Sequence, residues 1–339
     1  MTRRAVTPLK LLGVLVLLVF GAALVLYDIP SSSYLLLPDT AHPVAPLVTV
    51  EGAHPAKGTG AVYFVDVVER RANELESLFP WIYSGSSLVP KSDVVPAGES
   101  SKAAQQADLE AMSVSQKIAA AVALRRLGYH VVTRPSGVVV FALEPTSKAV
   151  GKVLEGDVIT GVNGTPTPTV ARLLAVMKKV RPGTSISLAL ARGSKHVTVR
   201  VQTSADPRQP SRAIVGFLPE QAAQITLPIK VRIDAGGVGG PSAGLAFALE
   251  VMQKLGRNVA RGYRVAATGE LDLAGDVLPI GGVKQKTFGV RRAHADVFLV
   301  PVGGDNARDA KRYAHGLRII PVKSFAQALH ALATLPPKG

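Results

Sequence analysis

The chain of 339 residues contains no cysteine. That absence excludes disulfides, thiolate metal sites and a thiol nucleophile, and it leaves the redox compartment open. Clustered charge is missing as well. The formal net charge is +15, yet Lys and Arg are dispersed, with no block longer than pairs such as Arg70-Arg71 and Arg291-Arg292. Tight binding to phosphate backbones needs clustered cations, so no nucleic-acid partner is expected. Dispersed basic charge fits a solvated surface, or one drawn to anionic envelope polymers. The sequence also holds no Gly-x-x-x-x-Gly-Lys-Ser/Thr phosphate loop, so ATP-driven unfolding has no engine in these residues. The run from Gly236 to Gly240 lacks the lysine and hydroxyl residue that a phosphate cradle requires. No cofactor or metal is expected.

What is present begins with 47% apolar residues, enough for a real core and two modest domains. Residues 11–27 form 17 consecutive positions without a charge, preceded by Arg3, Arg4 and Lys10 and followed by Asp28. This length sits at the short end of what crosses a bilayer, and the flanking charges predict a cytoplasmic N-terminus with the bulk of the chain outside. The small residues Gly21-Ala22-Ala23 resemble a signal-peptide cleavage region, but apolar residues continue through Leu24, Val25 and Leu26, which favours an uncleaved anchor. Residues 29–60, rich in Pro, Ser and Gly, read as a linker with a few extended pieces. Residues 61–68 read as a strand, residues 84–102 as an exposed loop, and residues 103–127 as a helix.

From Gly137 onward short strands alternate with turn residues. Val138, Val139, Val140 and Phe141 form a strand; Val158, Ile159 and Val162 lead into Asn163-Gly164, a strong turn signal. Val170, Leu173, Leu174 and Met177 have helical spacing. Ile186, Leu188 and Leu190 alternate, as do Val197, Val199 and Val201 across Arg192-Gly193-Ser194, which predicts a hairpin with one buried face. Residues 131–203 resemble a PDZ domain, with Gly137-Val138-Val139-Val140 similar to its carboxylate-binding loop and strand, and Leu154-Glu-Gly-Asp157 through Asn163-Gly164 matching the family's most recognisable stretch. The resemblance implies that an extended peptide adds to an open sheet edge at Gly137, Val138, Val139 and Val140. The other reading is a spacer whose groove is blocked.

Leu227, Ile229, Val231 and Ile233 alternate into Asp234, and a glycine-rich loop follows. From Ala243 the residues favour helix, so Ser242 falls at or just before a helix N-terminus, where free N–H groups and the positive dipole end collect. A serine there is either a cap or a nucleophile. Downstream, Gly281-Gly282 precedes a helix over residues 283–294. At about 100° per residue, Val283, Lys286, Val290 and Ala293 share one face, with Lys284, Gln285, Arg291 and Arg292 opposite. A lysine on the buried face near the positive end of its helix is disfavoured as an ammonium, which suits it to act as a base. The alternative is a lysine whose stem covers apolar surface.

Gly240-Pro-Ser-Ala-Gly244, Ala267-Thr268-Gly269-Glu270, Val277-Leu-Pro-Ile-Gly-Gly-Val-Lys-Gln-Lys286 and Val297-Phe-Leu-Val-Pro301, in this order, resemble the proteolytic domain of Lon-type proteases. The resemblance implies Ser242 as nucleophile, Lys286 as general base, Thr268 as its support, and backbone around Gly240 and Ser242 as the oxyanion hole. ATP-driven members often carry Lys-Asp before this motif, where Val238-Gly239 stands here. The succession of anchor, PDZ-like module and Lon-like domain is similar to membrane-anchored PDZ-containing Lon-like proteases, and implies a ring-like homo-oligomer, a trimer or hexamer.

The expected architecture is thus α+β: a cytoplasmic tail and transmembrane helix over 1–28, a linker over 29–60, a segment over 61–130 packing with the protease, a β-rich PDZ-like domain over 131–203 and an α/β proteolytic domain over 204–339. The strand within 62–68 is expected to join the proteolytic domain, with the PDZ-like module inserted. The expected activity is ATP-independent hydrolysis of unfolded or specific extracytoplasmic proteins, the PDZ-like module capturing substrate or gating the site. Two other readings remain at this level. Gly240-x-Ser242-x-Gly244 also fits the nucleophile elbow of an esterase, with Asp296 and His315 or His330 completing a triad. A non-catalytic peptide-binding scaffold would keep the fold without the chemistry.

Overall fold

The computed structural model describes residues 8–95, 100–193, 195–336 and 338. Arg3, Arg4, Ser194 and part of the expected loop over 84–102 lie outside the described residues, as do the side chains of Lys10 and Leu11. The helices are α1 (Pro8–Asp28), α2 (Glu74–Leu78), α3 (Ser101–Arg126), α4 (Val170–Met177), α5 (Gly244–Lys254), α6 (Val283–Arg292), α7 (Asn306–Arg312) and α8 (Phe325–Ala333).

The central element is a five-stranded sheet in the order His42–Pro43, Ala61–Phe64, Arg264–Ala267, Val297–Pro301, Arg318–Val322. Its last four strands are parallel. Parallel strands are covered on both faces, and these read as nearly continuous apolar runs for that reason. Side chains alternate across the sheet. Val265, Ala267, Val297 and Leu299 face a core completed by α3, α5 and α8, whereas Ala266, Phe298 and Val300 face α6 and α7. The strand Ala61–Phe64 lies beside Arg264–Ala267, with Val62 opposite Val265, although some 200 residues separate them in the chain. The region read as one strand over 61–68 breaks at Val65-Asp66 and resumes as Val67–Asn73.

Residues 29–60 are not a linker. Pro30–Pro38 is the middle strand of an antiparallel sheet with Val67–Asn73 and Ser87–Pro90, and Val48–Val50 pairs with Val231–Ile233. The prolines stand at the two ends of their strand, where they interrupt little of the ladder. Leu35 and Val44 are fully buried, and α6 packs on Pro30–Pro38. The strand Ser87–Pro90 likewise occupies part of the region expected to be loop.

The expected transmembrane helix is not supported: among the described residues no helix is long and apolar enough to cross a membrane. α1 has 21 residues, but Lys10 lies in its first turns. At 1.5 Å per residue the charge-free run covers only about 26 Å against a hydrocarbon core of roughly 30 Å.

Between α3 and Val231–Ile233 the chain builds a separate β-rich unit with its own core of Val138, Val140, Ile159, Val162, Ile186, Leu188 and Leu190. Asn163 and Gly164 both take positive φ, 49° and 75°, as a tight two-residue turn demands. Thr169 caps α4 by accepting the Arg172 N–H at 3.1 Å.

One expectation for this unit fails. Gly137, Val138, Val139 and Val140 lie within the strand Val132–Leu143, and neither edge of that stretch is open. Val138 and Val139 pair with Ile159 and Val158 on one side. On the other side Phe217–Thr226 runs antiparallel along the strand, placing Ala222, Gln221, Glu220 and Pro219 opposite Gly137, Val138, Val139 and Val140. α4 packs against both strands. The Gln221 side chain clasps the arrangement: Nε2 donates to the carbonyls of Gly137 and Pro168, both at 2.9 Å, and Oε1 accepts from Val170 N at 3.2 Å. Strand addition needs unpaired N–H and C=O groups, and a covalently attached strand competes at a high effective concentration. The chain fills its own groove. Backbone amides of residues 138–140, and those of Phe217–Thr226 that face Val132–Leu143, are therefore expected to exchange slowly with deuterium in the peptide-free protein; fast exchange across both sets would show an open edge.

Candidate active site

The strand Val231–Ile233 delivers a loop that turns at Gly236 and Gly240, with φ of 61° and 80°, and places Ser242 immediately before Ala243, the N-cap of α5. α5 is apolar all round over Leu245–Leu249 because it is buried between the sheet and α3, and Glu250 is the acid buried just beyond them. α3 also braces the loop. Gly240 N donates to the Asp108 carbonyl at 2.8 Å, and Ser115 Oγ donates to the Pro241 carbonyl at 2.8 Å. The approach is close enough to demand glycine: a Cβ on residue 239 would stand 2.7 Å from Asp108 Cβ, and one on residue 244 would stand 2.9 Å from Ser115 Oγ.

Gly240 consequently does not serve as expected, since its N–H is spent on α3. Among the described residues nothing accepts the Ser242 N–H. It sits at the positive end of α5, where an oxyanion is favoured.

Thr268 follows the strand Arg264–Ala267. Its Oγ1 donates to the Ser242 carbonyl at 3.2 Å, which also accepts from Gly269 N at 2.8 Å. These bonds fix the backbone of Ser242 against the end of the sheet. Lys286 enters from the opposite face, on the first turn of α6. Its Nζ lies 2.6 Å from Ser242 Oγ and 3.4 Å from Thr268 Oγ1. The side chain is only 4% exposed. Burial pushes the amine down to about 8, against the opposing pull of the Asp66 and Glu69 carboxylates, which favour the ammonium. A buried lysine in this range is partly neutral near physiological pH, and its lone pair can take a hydroxyl proton at hydrogen-bond distance.

Of the two lysines, Lys286 is the one that lies beside Ser242. Lys284 Nζ donates instead to the Ser86 carbonyl at 2.6 Å and reaches Ser87 Oγ at 3.3 Å. The far side of α6 is nevertheless not open to solvent: Gln285, expected there, is 2% exposed. The cause is tertiary. The strands of residues 30–90 lie over this helix, and Arg292 Nη1 also reaches the Pro38 carbonyl at 3.0 Å.

Asp66 and Glu69 escaped sequence reasoning. Asp66 is held above the usual carboxylate range by burial and by Asp39, and its Oδ1 has no hydrogen-bond partner among the described residues. The available signal was one acid inside the apolar run Val-Tyr-Phe-Val-Asp66-Val-Val. Asp39, His42 and Asp66 have possible ligand atoms within 4.8 Å of one another. His42 Nε2 and Asp39 Oδ2 already pair at 3.3 Å, and no metal role is assigned. The esterase triad finds no geometry: Asp296 accepts from Arg264 N at 2.8 Å and Lys338 Nζ at 2.6 Å. Asp296 and His315 line a surface depression that includes neither Ser242 nor Lys286.

Residues 215–334 match the model of the Lon protease (S16) C-terminal proteolytic domain, and residues 125–203 match that of the PDZ domain. The chain contains a Lon-type serine-peptidase domain and a PDZ domain. Lon protease from Roseiflexus castenholzii is 37% identical over 150 residues, which cover 43% of this chain and 18% of that protein. Lon protease from Chloroflexus aurantiacus is 28% identical over 166 residues, covering 45% and 20%. The matches thus span about a fifth of these relatives. Among solved structures, the PDZ domain of the SdrC-like protein from Listeria monocytogenes is similar at 18% identity and a TM-score of 0.23, covering 25% of this chain and 87% of that one.

The carboxylate of Asp66 opposes deprotonation of Lys286, so Asp66→Asn should move the acid limb of the pH profile of peptide hydrolysis to lower pH. A limb unmoved, or moved upward, would show that Asp66 does not tune the lysine.

Proposed function

We propose that this chain is a membrane-attached, ATP-independent serine endopeptidase in which Ser242 is the nucleophile and Lys286 the general base. The observation that carries this reading is the 2.6 Å contact between Lys286 Nζ and Ser242 Oγ in a buried site. Neutral Lys286 takes the Oγ proton as Oγ attacks a peptide carbonyl, and the resulting ammonium returns it to the departing amine. Water then attacks the acyl-serine, with Lys286 again acting as base. Thr268, whose hydrogen points to the Ser242 carbonyl, offers its oxygen to the ammonium. The Ser242 N–H supports the oxyanion.

Without a phosphate loop in these residues, the substrates are segments already unfolded and able to adopt an extended form. Attachment is supported by α1, whose side chains from Leu12 to Val25 are apolar or small and mostly exposed, and by the charges that flank this run. In this reading the N-terminus is cytoplasmic and the peptidase acts on proteins outside the cytoplasm, and assembly into a trimeric or hexameric ring accords with the Lon-type domain. The PDZ unit acts as a gate and not as an open receptor. Its groove is held by Phe217–Thr226, the strand that continues through residues 227–230 to Val231–Ile233 and the Ser242 loop. A peptide that displaced this strand would pull on the segment leading to the nucleophile.

Hydrolysis of an unfolded protein by the full chain tests the chemistry. Ser242→Ala and Lys286→Ala should each lose at least about 10³-fold in turnover, while Lys284→Ala keeps most of it. Persistent activity in Lys286→Ala would refute the dyad.

A further inference from the structure

The segment between α2 and the strand Ser87–Pro90 exposes an unusual set of side chains. Leu78 is 59% exposed, Trp81 76% and Ile82 55%. Phe79 and Tyr83 are exposed beside them, and Phe79 meets Trp81 edge-on with ring centroids 6.1 Å apart. No charged residue occurs between Glu76 and Lys91. The nearest charges cancel: Arg70 pairs bidentately with Glu76, and Tyr83 donates to the same carboxylate at 3.1 Å. A contiguous exposed apolar patch of this kind marks an interaction surface, and exposed Trp, Phe and Tyr together suit the level of lipid headgroups.

Its place in the fold says which surface. Glu74 N, at the start of α2, donates to the carbonyl of Ile29 at 2.9 Å, one residue beyond the end of α1, and α1 packs against α2. Tyr27 and Ile29 are themselves exposed, at 59% and 44%. The patch therefore continues the apolar surface of α1 just past its C-terminal end, the level at which aromatic residues anchor membrane proteins. We infer that Phe79, Trp81 and Ile82 insert into the interface of a lipid bilayer and hold the peptidase against the membrane surface. This rests on the proposed attachment through α1. It also suits an apolar run too short to cross a bilayer by itself: interfacial aromatics add a second anchor.

Trp81 is the only tryptophan in the chain, and the chain has no cysteine, so both surfaces can be read separately in the full protein. The protein is placed in phosphatidylcholine vesicles with added phosphatidylglycerol. Trp81 emission reports the patch, and a fluorophore on Leu17→Cys reports α1. Lipids brominated near the headgroup should quench Trp81, and the quenching constant for aqueous acrylamide should fall on adding vesicles, relative to the same protein without lipid. Deeply brominated lipids should quench the label at residue 17.

If the label is quenched while Trp81 ignores shallow bromines and stays fully open to acrylamide, the patch inference is overturned and the α1 reading stands. Quenching of Trp81 with an unquenched label supports the patch and removes the α1 reading. Failure of both overturns both. Protection of Trp81 that rises with protein concentration in the absence of lipid would assign the patch to a second copy of the chain and overturn the inference.

Discussion

Burying one amine beside one hydroxyl is the constraint on which this molecule turns. An ammonium loses hydration when it is covered, so a lysine held at 4% exposure becomes a usable base only if the surrounding structure withstands that cost. Three parts of the fold share the task. The parallel sheet brings Thr268 and the Ser242 carbonyl together, α6 carries Lys286 in from the opposite face, and α3 braces the glycine loop through Asp108 and Ser115. Asp66 and Glu69 act in the other direction, keeping the amine from falling too far. The balance of desolvation against nearby carboxylate charge leaves Lys286 at about 8, near the pH at which a base is most effective.

The order of the chain and the order in space differ, and the difference has a functional consequence. The strand Ala61–Phe64 and helix α3 precede the PDZ unit, yet both pack into the peptidase core. The PDZ unit stands between α3 and Val231–Ile233, joined through the paired strands Val132–Leu143 and Phe217–Thr226. Those strands connect the α3 brace to the Ser242 loop. Any ligand of the PDZ groove must first compete with the strand that already fills it, and that strand is covalently continuous with the segment leading to Ser242.

Much of the site was legible because its chemistry leaves local marks. A glycine loop followed by an apolar helix locates Ser242, and helical phase alone separates Lys286 from Lys284. The turn at Asn163-Gly164 and the hairpin between Ser185–Arg192 and Lys195–Gln202 follow from period-two alternation and turn chemistry. What stayed hidden is non-local. Residues 30–50 look like a tether because their burial comes from partners far along the chain, and Gln285 looks exposed because the strands that cover α6 come from that same segment. The hold of Asp108 on Gly240, the charge of Asp66 near Lys286 and the self-filled groove are tertiary facts without a sequence motif. The short apolar run of α1 shows the reverse: composition suggests a span, and helix geometry leaves it a few ångström short.

The central claim concerns one protonation equilibrium, and it can be observed directly. In protein carrying labelled lysine, the ε-group resonance of Lys286, assigned by its loss in Lys286→Met, is followed by NMR as pH is raised. This account predicts a midpoint near 8, well separated from the other lysines, and a lower midpoint in Asp66→Asn. A midpoint at the ordinary lysine value of about 10.5 would contradict it, because the amine would then carry its proton at every pH where the enzyme is expected to work.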